Sequence, residues 1–112
     1  MSNAIAHTVH WPEPRIVGDT ARAFKVSIFN DDTGLPIDLG GTTATFKLVD
    51  EATGAVIVNE LSCLIEVGDL SYFPVPADVA YAGHFRGRFK VVMSDAAILK
   101  IGHISFEVCD DV

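Results

Sequence analysis

One stretch of the chain decides the fold: His84-Phe85-Arg86-Gly87-Arg88-Phe89-Lys90-Val91-Val92-Met93. Apolar or small residues hold its odd-numbered positions, and His84 and three basic side chains hold even-numbered positions from 84 to 90. A period of two is typical of a β-strand with one buried face and one solvent-facing face. The stretch therefore predicts a strand with its aromatic residues in the core and a row of cations outside.

Similar alternation recurs on both sides of this strand. In residues 21–30, Phe24, Val26 and Ile28 fall on one face of the predicted strand. In residues 42–49, Phe46 and Leu48 do so in the same way. Loops rich in Asp, Thr, Gly and Pro separate these runs. The pattern predicts an all-β fold, an immunoglobulin-like β-sandwich of about seven to eight antiparallel strands.

Two irregular features stand in the second half of the chain. The run from Pro76 to Gly83 begins with Pro and ends with Gly, which favours one short helical turn between the sheets. The last strand changes parity between Ile101 and Ile104, and one extra residue reverses every later side chain. We therefore expect a β-bulge at residues 102–103.

The length of 112 residues fits a single domain. Residues 15–112 form the sandwich in this interpretation, and residues 1–14 form an extended N-terminal arm, part of which is interpretable as a cloning scar. The arm carries Trp11, for which two roles stay open. This side chain either covers the end of its own sandwich or anchors the arm on a neighbouring subunit.

The formal net charge is −7, from 8 Lys plus Arg against 15 Asp plus Glu. An acidic domain is poorly suited to general nucleic-acid binding, which depends on neutralising phosphates. Apolar runs fall well short of the roughly 20 residues of a membrane helix, and no signal peptide is visible. Cys63 and Cys109 stand far apart, and either a disulfide or two small buried thiols fit them.

Metal and catalytic chemistry have weak support. Asp31, Asp32 and Asp38 are candidate calcium ligands without EF-hand spacing, and Asp in turns commonly bonds its own backbone. The histidines lack carboxylate or thiol companions at ligand spacing. No nucleophile elbow or phosphate-binding loop occurs, and a pairing of Glu60 with Asp78 would be coincidental. We expect no enzyme, no metal and no cofactor.

The outward row of cations is the strongest candidate interface. With the lysine expected on the neighbouring strand and the arm tryptophan, the candidate protein-binding residues are Trp11, Lys47, His84, Arg86, Arg88 and Lys90. One interpretation is a solvated face whose charges prevent aggregation. The other is a docking face for an acidic patch on a partner or sister subunit.

The order of turn and strand signatures resembles a known family. Residues 32–39 lead into residues 41–50, residues 76–89 follow, and residues 15–20 open the domain. This order is similar to the immunoglobulin-like domain at the N-terminus of phage baseplate upper proteins and in small phage tail proteins. The resemblance implies a non-catalytic structural module that docks on other tail or baseplate proteins or on itself as a homo-oligomer, located in the virion after assembly in the host cytoplasm.

A rival interpretation assigns the chain to a different class, the ligand-binding β-sandwich. Carbohydrate-binding and cell-surface adhesion modules belong to this class. An exposed platform of aromatic side chains would favour it, and the aromatic residues of this sequence are too scattered to predict one.

Overall fold

The computed structural model describes residues 5–10 and 15–110, without the side chain of residue 103. Within these ranges the strands are β1 (Ile5–Val9), β2 (Arg15–Ile16), β3 (Phe24–Asn30), β4 (Thr43–Asp50), β5 (Val56–Ser62), β6 (Leu64–Glu66), β7 (Asp69–Tyr72), β8 (Gly83–Val92) and β9 (Ile98–Cys109). One 3-10 turn, Pro76–Val79, stands between β7 and β8. The strands form two sheets, so the predicted all-β sandwich with one short helical turn is confirmed.

The four-stranded sheet has the order β1-β3-β7-β6, and the five-stranded sheet has the order β2-β9-β8-β4-β5. Neighbouring strands are antiparallel except β2, which pairs in parallel with β9 through Arg15 and Ile16. This pair departs from the expected antiparallel arrangement; because β2 and β9 are far apart in the sequence, no hairpin links them and sets an antiparallel direction. Between β5 and β6 the chain changes sheet at Cys63.

The segment interpreted as an arm contains a strand of the domain's own sheet. β1 pairs with β3 in a register that runs from Ile5 opposite Asn30 to Val9 opposite Val26. Residues 5–9 are thus extended but bonded within the chain. Trp11 lies outside the described residues.

The core forms where the inner faces of the two sheets meet. Phe24 from one sheet stacks on Phe46 from the other with ring centroids 5.1 Å apart, and Phe46 contacts Phe89 at 4.8 Å. All three rings are fully buried, as their odd or even position in each strand predicts. Burial of these rings, together with the aliphatic side chains around them, stabilises the packing of the two sheets.

The expected bulge in β9 is confirmed. Gly87 pairs with Ile104 and Phe89 with Ile101, so β9 has one more residue than β8 between these pairs. A second bulge lies in β5, where Phe46 opposes Leu61 and Leu48 opposes Val58. A bulge redirects nearby side chains, and these two lie on either side of the β8–β4 pair that carries the predicted cations.

A buried hydrogen bond closes the corner at the 3-10 turn. The Tyr72 hydroxyl donates to Asp78 Oδ2 at 2.6 Å, and the Val75 N–H donates to the same oxygen at 3.0 Å. Burial, and then the hydrogen bond to the Asp78 carboxylate, raise the pKa of Tyr72 above its ordinary value. Both cysteines are free thiols.

Candidate functional site

The outer face of the five-stranded sheet collects the cations that the sequence placed in one row. In the β4–β8 register, Arg88 lies opposite Lys47 and Lys90 lies opposite Thr45. Directly opposed residues point to the same face of a sheet. The prediction that Lys47 widens the row therefore agrees with the register of these two strands.

A further cation joins them from β9, where Lys100 pairs with Lys90. The residues Lys47, Arg86, Arg88, Lys90 and Lys100 are five of the eight lysines and arginines of the chain, and we call them the cationic face. Sequence reasoning missed Lys100. Its position before the bulge turns it outward, but which strand lies beside β9 is a property of the tertiary fold.

The pairing of Lys90 with Lys100 works against stability. Like charges placed directly opposite on adjacent strands are destabilising, by roughly 0.2–1 kcal/mol. A face selected only for solubility would intersperse the two signs of charge. The pair therefore concentrates positive charge on this face at a small cost in stability.

His84 lies on the same face as the cations but at its end. It pairs across the strands with Glu107, and both side chains are exposed. A carboxylate beside the imidazole reduces the positive potential there. The predicted site residue His84 is thus on the predicted face, outside its most positive part.

One carboxylate reaches into the cationic face. Glu60 Oε1 lies 2.9 Å from Arg88 Nη2 and 3.9 Å from Lys90 Nζ. Within the described part of the chain the remaining ion pairs are Arg22–Asp19 and Lys25–Asp69, both away from this face. Lys47, Arg86 and Lys100 therefore have no salt-bridge partner among the described residues.

The surface around these cations is concave. A depression of about 120 Å³ between β4 and β8 is lined by Lys47, Val49, Arg86, Gly87 and Arg88. A second depression of about 280 Å³ is lined by Thr43, Thr45, Glu60, Lys90 and Val92. Glu60 contacts Arg88, which lines the first depression, and Lys90, which lines the second depression together with Glu60 itself.

The β9 bulge positions Arg88. A Cβ added at Gly102 would lie 2.9 Å from Arg88 Cγ, which is closer than real Cβ atoms approach. Glycine at this position lets the aliphatic part of Arg88 lie against the backbone of β9. The Nε of Arg88 is buried and has no hydrogen-bond partner among the described residues.

The outer face of the four-stranded sheet carries a different polar group. His10 Nε2 lies 2.7 Å from Ser27 Oγ, and Ser27 Oγ donates to Asp69 Oδ1 at 2.7 Å. In a nucleophilic triad the histidine stands between the serine and the acid, whereas here the serine stands in the middle. The arrangement therefore does not position His10 between Ser27 and Asp69 as a triad base.

Other sequence candidates are not brought together. Asp38 Oδ1 accepts the Gly40 N–H at 2.9 Å, as aspartates in turns commonly do. The described residues hold no group of three or more His, Cys, Asp or Glu side chains that could bind a metal ion. Glu60 contacts Arg88 on the outer face, while Asp78 is buried against Tyr72. Across the described ranges, no helix has the length and apolar character needed to cross a membrane.

Fold and site together define a β-sandwich protein with a cationic sheet face. The chain matches the crystal structure of CopC from Methylosinus trichosporium OB3b with a TM-score of 0.57 and 14% sequence identity. The match covers 96% of this chain and 97% of that one. No protein-family model and no curated protein sequence matches the chain.

This comparison overturns the phage interpretation. The resemblance to a baseplate domain, the role as a tail or baseplate structural module and the virion location are wrong, because the structure that the chain matches over 96% of its length is CopC and not a phage tail or baseplate protein. The turn and strand signatures behind that interpretation report how a sandwich is built. They do not identify its role, since unrelated functions share this architecture.

Proposed function

We propose that the chain is a ligand-binding β-sandwich that holds an anionic ligand on its cationic face and catalyses no reaction. The observation that carries the proposal is the gathering of five of the chain's eight lysines and arginines on one sheet face. The chain as a whole carries a net charge of −7. A positive face on an acidic protein concentrates positive potential where it can steer an anion.

The ligand-binding class has two further supports. The match to CopC rather than to a phage tail protein favours this class over a phage structural module. The arginines and lysines that line the two depressions favour anions, because guanidinium and ammonium groups are donors without acceptors.

Binding of fluorescently labelled poly-L-glutamate tests the proposal. Anisotropy titrations at about 0.01 M and about 0.15 M salt span Debye lengths of about 30 Å and 8 Å. We expect saturable binding at low salt that weakens at high salt. Replacing Lys47 and Arg86 together by glutamine should weaken binding at least about tenfold, which corresponds to about 1.4 kcal/mol.

The matched control is the double substitution R22Q and K25Q, which removes the same charge away from this face. Both cations pair with aspartates elsewhere, Arg22 with Asp19 and Lys25 with Asp69. Equal loss in the two double variants would mean that overall charge alone controls binding, and the proposed site would be wrong. Absence of saturable binding by the wild type at low salt would refute the anion-binding function.

The homo-oligomer expected from the sequence stays a prediction. Light scattering after size exclusion at the two salt concentrations tests it. A mass that falls at high salt would indicate self-association through charged faces. A monomeric mass in both buffers would leave the cationic face available to a separate ligand.

A further inference from the structure

The Glu60 carboxylate lies where an anionic ligand would bind on the cationic face. Its Oε1 atom is 2.9 Å from Arg88 Nη2 and 3.9 Å from Lys90 Nζ, and it belongs to the chain itself. Since these two cations line different depressions, the carboxylate stands at the contact between them. Its position is that of an internal competitor.

We propose that Glu60 closes a carboxylate-binding subsite formed by Arg88 and Lys90, and that a carboxylate of the ligand displaces it. This inference rests on the proposed anion-binding function and adds the ligand's chemical class and its control. With Glu60 displaced, the two depressions become one groove along β4 and β8.

The backbone at Glu60 supports displacement rather than a permanent ion pair. Glu60 lies in the β5 bulge with φ of +51°, in the left-handed region. A residue with a Cβ is sterically strained in this region. β5 is also an edge strand of its sheet, paired along one side with β4. A local rearrangement there disturbs fewer bonds than it would in a central strand.

The hydrogen bonding of Arg88 gives a ligand carboxylate an advantage. Glu60 accepts one hydrogen bond from Arg88, through Nη2, and leaves the buried Nε without a partner among the described residues. A free carboxylate can take two parallel N–H bonds from an arginine fork. A ligand that binds both Nη2 and Nε satisfies a donor that the internal carboxylate leaves unpaired.

The side-chain exposures agree with an exchangeable contact. Glu60 is 41% exposed, Arg88 24% and Lys90 32%. Ion pairs at such accessible positions contribute little to stability, because water and salt compete with each partner. Exchange of the internal carboxylate for an external one therefore costs the fold little.

The experiment compares E60Q with E107Q in the poly-L-glutamate titration. Both variants lose one negative charge from the same sheet face, but Glu107 lies opposite His84 rather than beside an arginine. We expect E60Q to bind about three- to tenfold more tightly than wild type and E107Q to bind about twofold more tightly or less. Circular dichroism establishes that both variants are folded.

A second measurement follows the carboxyl carbon of Glu60 by NMR during titration of wild-type protein with unlabelled poly-L-glutamate. Its chemical shift should move with the same saturation curve as binding, while that of Glu107 moves less. In an R88Q background, the further substitution E60Q should no longer increase the affinity for poly-L-glutamate.

The outcomes separate the two proposals. If wild type binds and E60Q binds no tighter than E107Q, the role of Glu60 is wrong and the anion-binding function stands. If the wild type does not bind at low salt, the proposed function itself is wrong, whatever the result with E60Q. Tighter binding by E60Q alone, with the Glu60 signal shifting on titration, supports the subsite.

Discussion

Two carboxylates of this molecule make similar bonds in different surroundings. Asp78 accepts a hydrogen bond from the Tyr72 hydroxyl at 2.6 Å and is 8% exposed. Glu60 accepts one from Arg88 at 2.9 Å and has a side chain that is 41% exposed. The buried bond has no water to replace it, so it fixes the corner of the fold. The exposed bond exchanges with water and ions, so Glu60 is suited to regulate ligand binding on the cationic face.

The largest expected effect is on the buried member of this comparison. Replacing Tyr72 by phenylalanine removes the hydroxyl and leaves Asp78 with the Val75 N–H as its described donor. We expect a loss of about 1–3 kcal/mol in the free energy of unfolding, measured by urea denaturation at neutral pH. A loss below about 0.5 kcal/mol would mean that the corner does not depend on this bond.

Tyr81 supplies the matched control. Its hydroxyl donates to Asp50 Oδ2 at 2.7 Å in a part-buried setting, and its side chain is more accessible than that of Tyr72. Replacing Tyr81 by phenylalanine should cost less than the same change at Tyr72. A larger loss of stability at Tyr81 than at Tyr72 would show that burial does not determine how much these hydrogen bonds contribute to stability.

Cys63 extends the comparison to a group whose pKa is shifted mainly by burial. Burial raises the pKa of its thiol from 9.0 to about 11, and its backbone hydrogen bond opposes this shift. The unfolded chain loses this proton at a lower pH than the native protein, so stability falls as the pH rises from about 9 through 11. Replacing Cys63 by alanine should flatten the pH dependence of unfolding in this window. An unchanged slope would show that the thiol does not titrate there.

A smaller effect is expected on the cationic face. Replacing Lys100 by glutamate places opposite charges in the Lys90–Lys100 pair. We expect a gain of about 0.5 kcal/mol, and a rise in Tm of about 2 °C, with weaker binding of poly-L-glutamate. A variant that gains stability without losing affinity would show that Lys100 has no part in binding.

The smallest expected effect on stability is at Glu60. Replacing it by glutamine should change the free energy of unfolding by no more than about 0.5 kcal/mol, since exposed ion pairs contribute little. The same urea experiment measures it beside the Tyr72 variant. A loss of more than 1 kcal/mol would make Glu60 a structural residue, in conflict with its exchange for a ligand.

Several elements could be predicted because they depend on local pattern. The alternation around Phe85 and Phe89 predicted the buried face of β8, and the parity change after Ile101 predicted the bulge in β9. The run beginning at Pro76 predicted the helical turn. Each signal lies within a few residues, where steric and solvation preferences act directly.

Only part of the candidate site could be predicted from the sequence, because local pattern covers single strands and not the contacts between them. Arg86, Arg88 and Lys90 share a strand, so their common face follows from their spacing. Glu60 and Lys100 join them from other strands, and both depend on bulges and strand order. A parity change between Val58 and Leu61 was the available signal for the β5 bulge.

The sequence by itself determined the β-sandwich, the inward aromatic positions and the row of cations on β8. Periodicity carries this information because each residue in a strand turns to the side opposite its neighbours. Tertiary structure alone decided that Lys100 stands beside Lys90 and that Glu60 reaches Arg88. These contacts join residues distant in sequence, and their distances are set by how the strands are ordered and where an extra residue bends them.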